Sequence, residues 1–90
     1  MSDPKKKIYR ATLKAKEHYR AMNYSIFNSD GRLVSFIATR GTDERHVLVV
    51  VDRISPSDIE SLRGIQSPPA CVREIFCDKG PRFEIREVRG

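Results

Sequence analysis

The stretch His46-Val47-Leu48-Val49-Val50-Val51-Asp52 decides the fold of this 90-residue chain. Its five consecutive aliphatic residues show no polar alternation, which is typical of a strand that is buried on both faces. A strand of this kind needs a covering layer on each side of its sheet. We therefore predict that this stretch is the central strand and that two helices cover the two faces of its sheet.

Upstream of the central strand, an apolar stripe predicts the first helix. Apolar or small residues recur at spacings of three and four, as one side of a helix requires. They are Ile8, Ala11, Ala15, Tyr19 and Met22. Asn23 ends this helix. Three lysines lie at its start, where the helix dipole disfavours cations. Residues 1–7 therefore form a basic segment that either frays or is stabilised by a partner.

Two strands are predicted between this helix and the central strand. They cover residues 24–27 and 33–38, and Asp30-Gly31 between them is a strong hairpin signal. The polar residues 40–45 then form a second hairpin that leads into the central strand. These three strands are expected to form an antiparallel meander.

Downstream of the central strand, Ser55-Pro56-Ser57-Asp58 predicts the start of a second helix. Its first serine can cap the helix, proline suits the first helical position, and the aspartate closes a capping box. Gly64 ends this helix, and strands over 72–77 and 83–88 follow. The helix crosses over to a strand that is parallel to a neighbour. The predicted fold is a single α/β domain over residues 1–90, in the order αβββαββ, with a mixed sheet.

The composition narrows the classes of function. The chain has 17 Lys and Arg against 12 Asp and Glu, and this net charge of +5 favours a polyanionic partner. No apolar run approaches the ~18–20 residues that cross a membrane. The basic N-terminal segment is not followed by the apolar stretch of a signal peptide. We expect a cytoplasmic protein without a membrane partner.

The cysteines and histidines do not form a recognisable catalytic or metal-binding motif. Cys71 and Cys77 lie in one predicted strand, which puts their Cα atoms roughly 20 Å apart, too far for a disulfide. Neither His18 nor His46 lies at metal-ligand spacing from them, and His46 is interpreted as a bland strand-edge residue. We therefore predict two reduced thiols and no small-molecule cofactor.

Three segments carry a resemblance to a known family. They are the strand over 24–27, the run Ser35-Phe36-Ile37-Ala38 and the run 47–53. They resemble, in that order, a strand, a strand bearing an acid followed by two aliphatic residues and Ala, and a strand ending in E-x-K. This is the pattern of the PD-(D/E)xK nuclease superfamily, which includes restriction-enzyme-like nucleases. The resemblance covers roughly residues 10–88 and implies a restriction-endonuclease-like fold.

The metal ligands of that family do not match this chain. The resemblance implies carboxylates for Mg²⁺ where the chain has Ser35 and Val51, and a lysine where it has Arg53. Mg²⁺ requires oxygen ligands that usually include one or two carboxylates, which neither Ser35 nor Val51 supplies. The chain is therefore interpreted as a degenerate member that lacks the standard acidic ligands and does not cut nucleic acid.

The first functional hypothesis is a non-catalytic module that binds the phosphate backbone of DNA or RNA. Basic side chains on the first helix would neutralise phosphates and release counterions. The candidate contacts are Lys5, Lys6, Lys7, Arg10, Lys14 and Arg53.

Two alternatives stay open. A Mg²⁺-dependent nuclease could use a rearranged acidic site at Glu17, Asp30 and Asp52, in which Asp30 and Asp52 would be the metal ligands. A protein-interaction module could instead form a homodimer through a last strand, 83–88, at the sheet edge. The order αβββα is also that of the double-stranded RNA-binding domain. The short acidic second helix and the two strands after it disfavour that interpretation.

Overall fold

The computed structural model describes residues 4–29, 34–64 and 71–88. These ranges contain two helices and five strands in the predicted order αβββαββ. They are α1 (Pro4–Ala21), β1 (Ser25–Asn28), β2 (Phe36–Arg40), β3 (Asp43–Val51), α2 (Pro56–Arg63), β4 (Cys71–Asp78) and β5 (Phe83–Val88). Neither described helix combines the length and the apolar composition that a membrane span requires.

The five strands form one mixed sheet in the order β1-β2-β3-β4-β5. The first three strands are an antiparallel meander, and β5 is antiparallel to β4. The pair β3–β4 is parallel, with Val49 opposite Phe76. After β3, α2 carries the chain back to the edge of the sheet at which β3 begins, so β4 runs in the same direction as β3. The predicted central strand and the predicted parallel crossover are both confirmed.

The two helices cover opposite faces of the sheet, as predicted. On one face, Ala11 and Ala15 of α1 are fully buried in a core with Phe36, Val47 and Phe76. On the other face, a second core contains a buried leucine of α2 and isoleucines of both α2 and β4. This second core includes Leu62, Ile75 and Val88, with Ile59 and Leu48 packed against it. Alternate residues of β3 and β4 therefore contribute to two separate cores.

The first helix ends in a Schellman motif, which has consequences for the site below. Asn23 has φ 69°, and its N–H donates to the carbonyl of Arg20 at 2.9 Å. The N–H of Tyr24 donates to the carbonyl of Tyr19 at 3.0 Å, which completes the motif. The rings of Tyr19 and Tyr24 meet edge to face, with centroids 5.7 Å apart. The turn thereby brings two tyrosines to the same end of α1.

The second helix begins as the sequence predicted. The Ser55 hydroxyl accepts from the Asp58 N–H, and the Asp58 carboxylate accepts from the Ser55 N–H. Gly64 ends the helix with φ −77°, so the left-handed conformation is not used there. Arg73 of β4 instead donates to the carbonyls of Leu62 and Arg63, which places a cation at the negative end of the helix dipole.

Several predicted boundaries were wrong. The ends of the apolar stripe, Ile8 and Met22, are exposed. The second strand begins at Phe36 within the described residues, and β3 begins at Asp43 rather than His46. The connection between them is therefore shorter than the predicted residues 40–45: it is a turn of two residues that includes Gly41, whose φ is +62°. The polar residues at the start of β3 looked like a loop because their partners lie on other elements.

Candidate functional site

A pocket of about 230 Å³ lies where the carboxyl ends of β3 and β4 meet the N-terminal half of α1. The parallel strands bring their carboxyl ends to the same edge of the sheet, and α/β proteins commonly bind ligands at such an edge. We call it the strand-end pocket. Its lining residues are Lys7, Arg10, Val51, Asp52, Asp78 and Gly80.

Two aspartates, Asp52 and Asp78, line this pocket. Asp78 is the last residue of β4 and pairs with Val51, and the Asp52 N–H donates to the Asp78 carbonyl at 2.8 Å. Asp52 has φ 72°, and the N–H of Arg53 donates back to the carbonyl of Val51 at 2.9 Å. This is a γ-turn with positive φ, a rare conformation that costs about 1–3 kcal/mol. The paired ends of the two strands hold Asp52 in it.

The cations of the pocket come from α1 and differ in their partners. Lys14 donates to the Asp78 carboxylate and to the Gly80 carbonyl, both at 2.9 Å, so its charge is used within the protein. Lys7 and Arg10 are exposed and lie three residues apart, on neighbouring positions of the helix surface. Within the described residues, neither side chain has a hydrogen-bond or ion-pair partner. These two cations are therefore available to a ligand.

The predicted site residues are thus brought together only in part. Lys7, Arg10 and Asp52 line the pocket, and Lys14 contacts it through Asp78. Sequence reasoning missed Asp78. The signal that could have found it is the parallel pairing of its strand with the central strand, which puts the two strand-end acids next to each other.

The other predicted residues lie away from the pocket lining. Lys5 and Lys6 are exposed in the first turn of α1, so the described part of the basic segment is helical. Arg53 is exposed beyond the γ-turn. Glu17 is exposed on α1, and its carboxylate has no partner among the described residues. Asp30 lies outside the described residues.

The positions that the resemblance matched to metal ligands have structural roles here. The Ser35 hydroxyl accepts a hydrogen bond from the Val49 N–H at 2.9 Å. Val51 packs against the core under α1 and forms an apolar wall of the pocket. The carboxylate nearest to the family's pattern is therefore Asp52, one residue beyond Val51.

Positive charge is concentrated on one element. The helix α1 has seven Lys and Arg and one Glu, a net charge of +6. The whole chain has a net charge of +5, so the remaining ten basic and eleven acidic residues sum to −1. The first turn of α1 contains no acidic residue. The basic character of the chain is thus a property of α1.

A buried polar network lies at the other end of α1. The Tyr19 hydroxyl donates to Glu74 at 2.7 Å, and Arg45 donates to the second oxygen of Glu74 at 2.7 Å. Arg45 also pairs with Asp43 at 3.3 Å, and Tyr24 donates to Asp43 at 2.5 Å. Glu74 is only 5% exposed. We call these five residues the buried polar network.

The network shifts the acidity of its members in the directions that its hydrogen bonds require. Burial and the hydrogen bond to Glu74 raise the pKa of Tyr19 well above its ordinary value. The hydrogen bond from Tyr24, together with Arg45, lowers the pKa of Asp43. Glu74 and Asp43 each have protein partners, so this network holds α1 to β3 and β4 and leaves no free base.

A second polar group, which the sequence did not predict, lies on the opposite face of the sheet. His46 is 2% exposed, which contradicts its interpretation as a bland edge residue. Its Nε2 lies 2.9 Å from Glu44 Oε2, and the Cys71 thiol donates to the same oxygen at 2.8 Å. We call Glu44, His46 and Cys71 the Glu–His–Cys cluster. Spacing along the chain gave no sign of it, because Cys71 comes from the parallel neighbour of the strand that carries Glu44.

The cluster does not have the order of a nucleophilic triad. Cys71 and His46 both contact Glu44, so the carboxylate separates the thiol from the imidazole. Burial and the hydrogen bond to Glu44 raise the pKa of the Cys71 thiol to about 11, which disfavours the thiolate. Cys77, on the same face of β4, is fully buried, and both cysteines are free.

Comparison with known proteins gave no relative: no family model, curated protein or solved structure matches this chain.

Proposed function

We propose that this chain binds nucleic acid through the phosphate backbone, with the N-terminal half of α1 as its contact surface. The observation that carries this proposal is the concentration of charge: α1 has a net charge of +6 and the rest of the chain −1. A purely solubilising charge would be expected to spread over the surface. A basic stripe along one helix is the electrostatic footprint of a polyanion-binding surface.

The contacts can be assigned to individual side chains. Lys7 and Arg10 lie at the strand-end pocket without a described partner, and Lys5 and Lys6, which directly precede Lys7 in the first turn of α1, are exposed. The dipole of α1 disfavours these cations at its N-terminus, and a bound phosphate would relieve this cost. Tyr9 is 65% exposed among them, which suits stacking on an unpaired base.

The proposal also states that the chain has a restriction-endonuclease-like fold and that it does not cleave nucleic acid. It is supported by the meander, the helical crossover and the parallel fourth strand, which are the features on which the resemblance rests. Ser35 and Val51 supply no carboxylate, and Glu17 does not line the pocket. The two free thiols, Cys71 and Cys77, fit a reducing cytoplasm.

The test is an anisotropy titration of labelled duplex, single-stranded and branched DNA and of RNA, without divalent metal. We expect the double variant Lys7→Gln/Arg10→Gln to bind the nucleic acid that the wild type prefers more weakly. The loss should be the same for every nucleotide sequence, because phosphate contacts carry no sequence information. A charge-matched control is Arg20→Gln/Arg63→Gln, which removes two exposed cations at the other end of α1 and on α2. Equal losses in the two variants, or no binding by the wild type, would overturn the proposal.

A second candidate, the Mg²⁺-dependent nuclease, is favoured by the two acids of the strand-end pocket. Asp52, Asp78 and Lys7 all line this pocket, and oxygen ligands in the same pocket as a phosphate-binding cation suit a magnesium site. The acidic site of this candidate is Asp52 and Asp78, in place of the predicted Glu17, Asp30 and Asp52, because Glu17 does not line the pocket.

One variant separates the two candidates. Asp52→Asn keeps the shape of the side chain, and asparagine tolerates the positive φ of the γ-turn. If the chain only binds, loss of this carboxylate beside two cations is expected to tighten binding without metal. If the chain cuts, a denaturing gel is expected to show Mg²⁺-dependent cleavage by the wild type that Asp52→Asn abolishes.

A further inference from the structure

The Glu–His–Cys cluster has the composition and geometry of an ion site at the amino ends of β3 and β4. Glu44 and His46 are two residues apart on β3, so both side chains lie on the α2 face, and Cys71 is the register partner of Glu44. The ligand atoms of the three residues all lie within 4.8 Å of one another. Donor atoms of a tetrahedral zinc site are about 3.3–3.6 Å apart, given metal–ligand bonds of about 2.0–2.3 Å. The set is therefore close to the required size before any metal enters.

The burial of His46 is a second and independent observation. Its side chain is 3% exposed, yet its Nδ1 has no hydrogen-bond partner among the described residues. A buried polar ring with an unsatisfied nitrogen is rare in folded proteins. The other ring nitrogen, Nε2, lies 2.9 Å from Glu44 Oε2, so it is the nitrogen that faces the proposed ion. A metal bond to Nε2 would fix the tautomer of the ring, with the proton on Nδ1.

We propose that Glu44, His46 and Cys71 bind a Zn²⁺ ion and leave its fourth position to water. Thiolate and imidazole ligands favour zinc over Mg²⁺ or Ca²⁺. As the sulfur–zinc bond forms, the Cys71 thiol releases its proton to solvent, and the hydrogen bond from the thiol to Glu44 is replaced by two bonds to the ion. One thiolate and one carboxylate then neutralise the two positive charges, which suits a half-buried site. The Glu44 side chain is 41% exposed, so an ion has access.

The site does not depend on the proposed nucleic-acid binding. The strand-end pocket lies at the carboxyl ends of β3 and β4 on the α1 side, and the Glu–His–Cys cluster lies at the amino ends on the other face. A zinc ion there would tie the start of the central strand to its parallel neighbour. Its effect should therefore be read in metal binding and stability.

The test is a titration of the full, chelator-treated chain with Co²⁺, which occupies zinc sites and reports its ligands by absorption. We expect one equivalent to give thiolate-to-cobalt charge-transfer absorption and the intense d–d bands of a four-coordinate ion, and Zn²⁺ to displace it. Cys71→Ser should lose the charge-transfer absorption. Cys77→Ser, which changes the other cysteine on the same face of β4, should keep it. Glu44→Gln should weaken cobalt binding at least about tenfold.

Thermal melts provide a readout that does not depend on colour. Zn²⁺ at about a hundredfold excess over its Kd should raise the Tm of the wild type and of Cys77→Ser by roughly 10 °C or more, and leave that of Cys71→Ser unchanged. Cobalt bands without charge transfer in the wild type would overturn the proposal. So would charge transfer that survives in Cys71→Ser, or an absence of any metal-dependent shift in Tm.

Discussion

At the scale of single residues, the structure predicts a large stability effect for Glu74. Its carboxylate is buried and accepts from both Tyr19 and Arg45. Glu74→Ala leaves the tyrosine hydroxyl and part of the guanidinium without a partner, so we expect a loss of about 2–4 kcal/mol in the free energy of unfolding. Urea denaturation measures it as a lower midpoint at an unchanged slope.

The matched control for this prediction is Glu60→Ala. Glu60 pairs with Arg63 on the surface of α2, with a side chain that is 68% exposed. Surface pairs contribute about 0–1 kcal/mol, so this variant should stay close to the wild type. Equal midpoints for the two variants would show that the buried polar network does not stabilise the fold.

The stability at alkaline pH should depend on Tyr19. Burial and the bond to Glu74 raise its pKa in the folded state above the ordinary value of 10.0, so the folded chain favours the protonated hydroxyl. This contribution is fully present below pH 10 and is lost as the pH rises above 10, where the unfolded tyrosine ionises. Tyr19→Phe should therefore show a shallower fall in unfolding midpoint between about pH 9 and 11.

Tyr24 shares this behaviour, since burial and the hydrogen bond to Asp43 also raise its pKa. Tyr19→Phe should therefore reduce the fall of the unfolding midpoint with rising pH, but should not abolish it. Tyr9→Phe, the same change at an exposed position, should retain the wild-type profile. A variant at residue 19 whose midpoint falls as steeply as that of the wild type would contradict the assignment.

At the scale of elements, α2 is short, and its capping box should contribute a measurable share of its stability. Ser55→Ala removes the hydroxyl that accepts from the Asp58 N–H, and we expect a loss of about 1 kcal/mol. Ser61→Ala is the control in the same helix, where the hydroxyl bonds back to the Ser57 carbonyl and alanine favours the helix. A loss at Ser61 equal to that at Ser55 would argue against the capping role.

The elements also show which parts of the fold can be predicted from local sequence. The buried strand 47–51 and the start of α2 were predicted correctly because their signals, aliphatic runs and a capping box, act over a few residues. The start of β3 was not, because Asp43 and Arg45 are polar residues whose partners outside the strand are Tyr24, which follows α1, and Glu74 of β4. A local pattern identifies them as a loop.

The candidate sites were predictable to a smaller extent than the fold. Lys7, Arg10 and Asp52 could be named from charge and from position at a strand end. Asp78, and the contact of Cys71 with Glu44, depend on the register of a parallel pair that is distant in sequence. That register follows from the crossover helix and the packing of both cores, which no short motif encodes.

At the scale of the whole molecule, the exposed edge of the sheet at β5 has features that oppose self-association. Its outward charges form the ion pairs Lys79–Glu84 and Arg86–Glu84, and charged edges resist pairing with another chain. Replacing Glu84 and Arg86 by valine should expose an apolar edge and increase the mass measured by light scattering at high concentration. A wild type that is already dimeric, with no further change in the variant, would show that this edge is not guarded.

The molecule as a whole separates its charge and its polar groups into distinct regions. The basic half of α1 and the strand-end pocket lie at one end of the central strand, and the Glu–His–Cys cluster lies at the other end on the opposite face. The buried polar network fixes the C-terminal end of α1 to the amino halves of β3 and β4. The function that we propose uses α1 as a basic surface that the sheet presents to a phosphate backbone.

The most direct test of this claim is the salt dependence of nucleic-acid binding. Each neutralised phosphate contributes a slope of about −0.9 in log K against log salt, so Lys5, Lys6, Lys7 and Arg10 predict a slope between about −3 and −4 on duplex DNA. Lys7→Gln/Arg10→Gln should reduce the slope in magnitude by about 2, and Arg20→Gln/Arg63→Gln should leave it unchanged. A wild-type slope near zero, or the same slope in the first variant as in the wild type, would contradict the assignment of α1 as the binding surface.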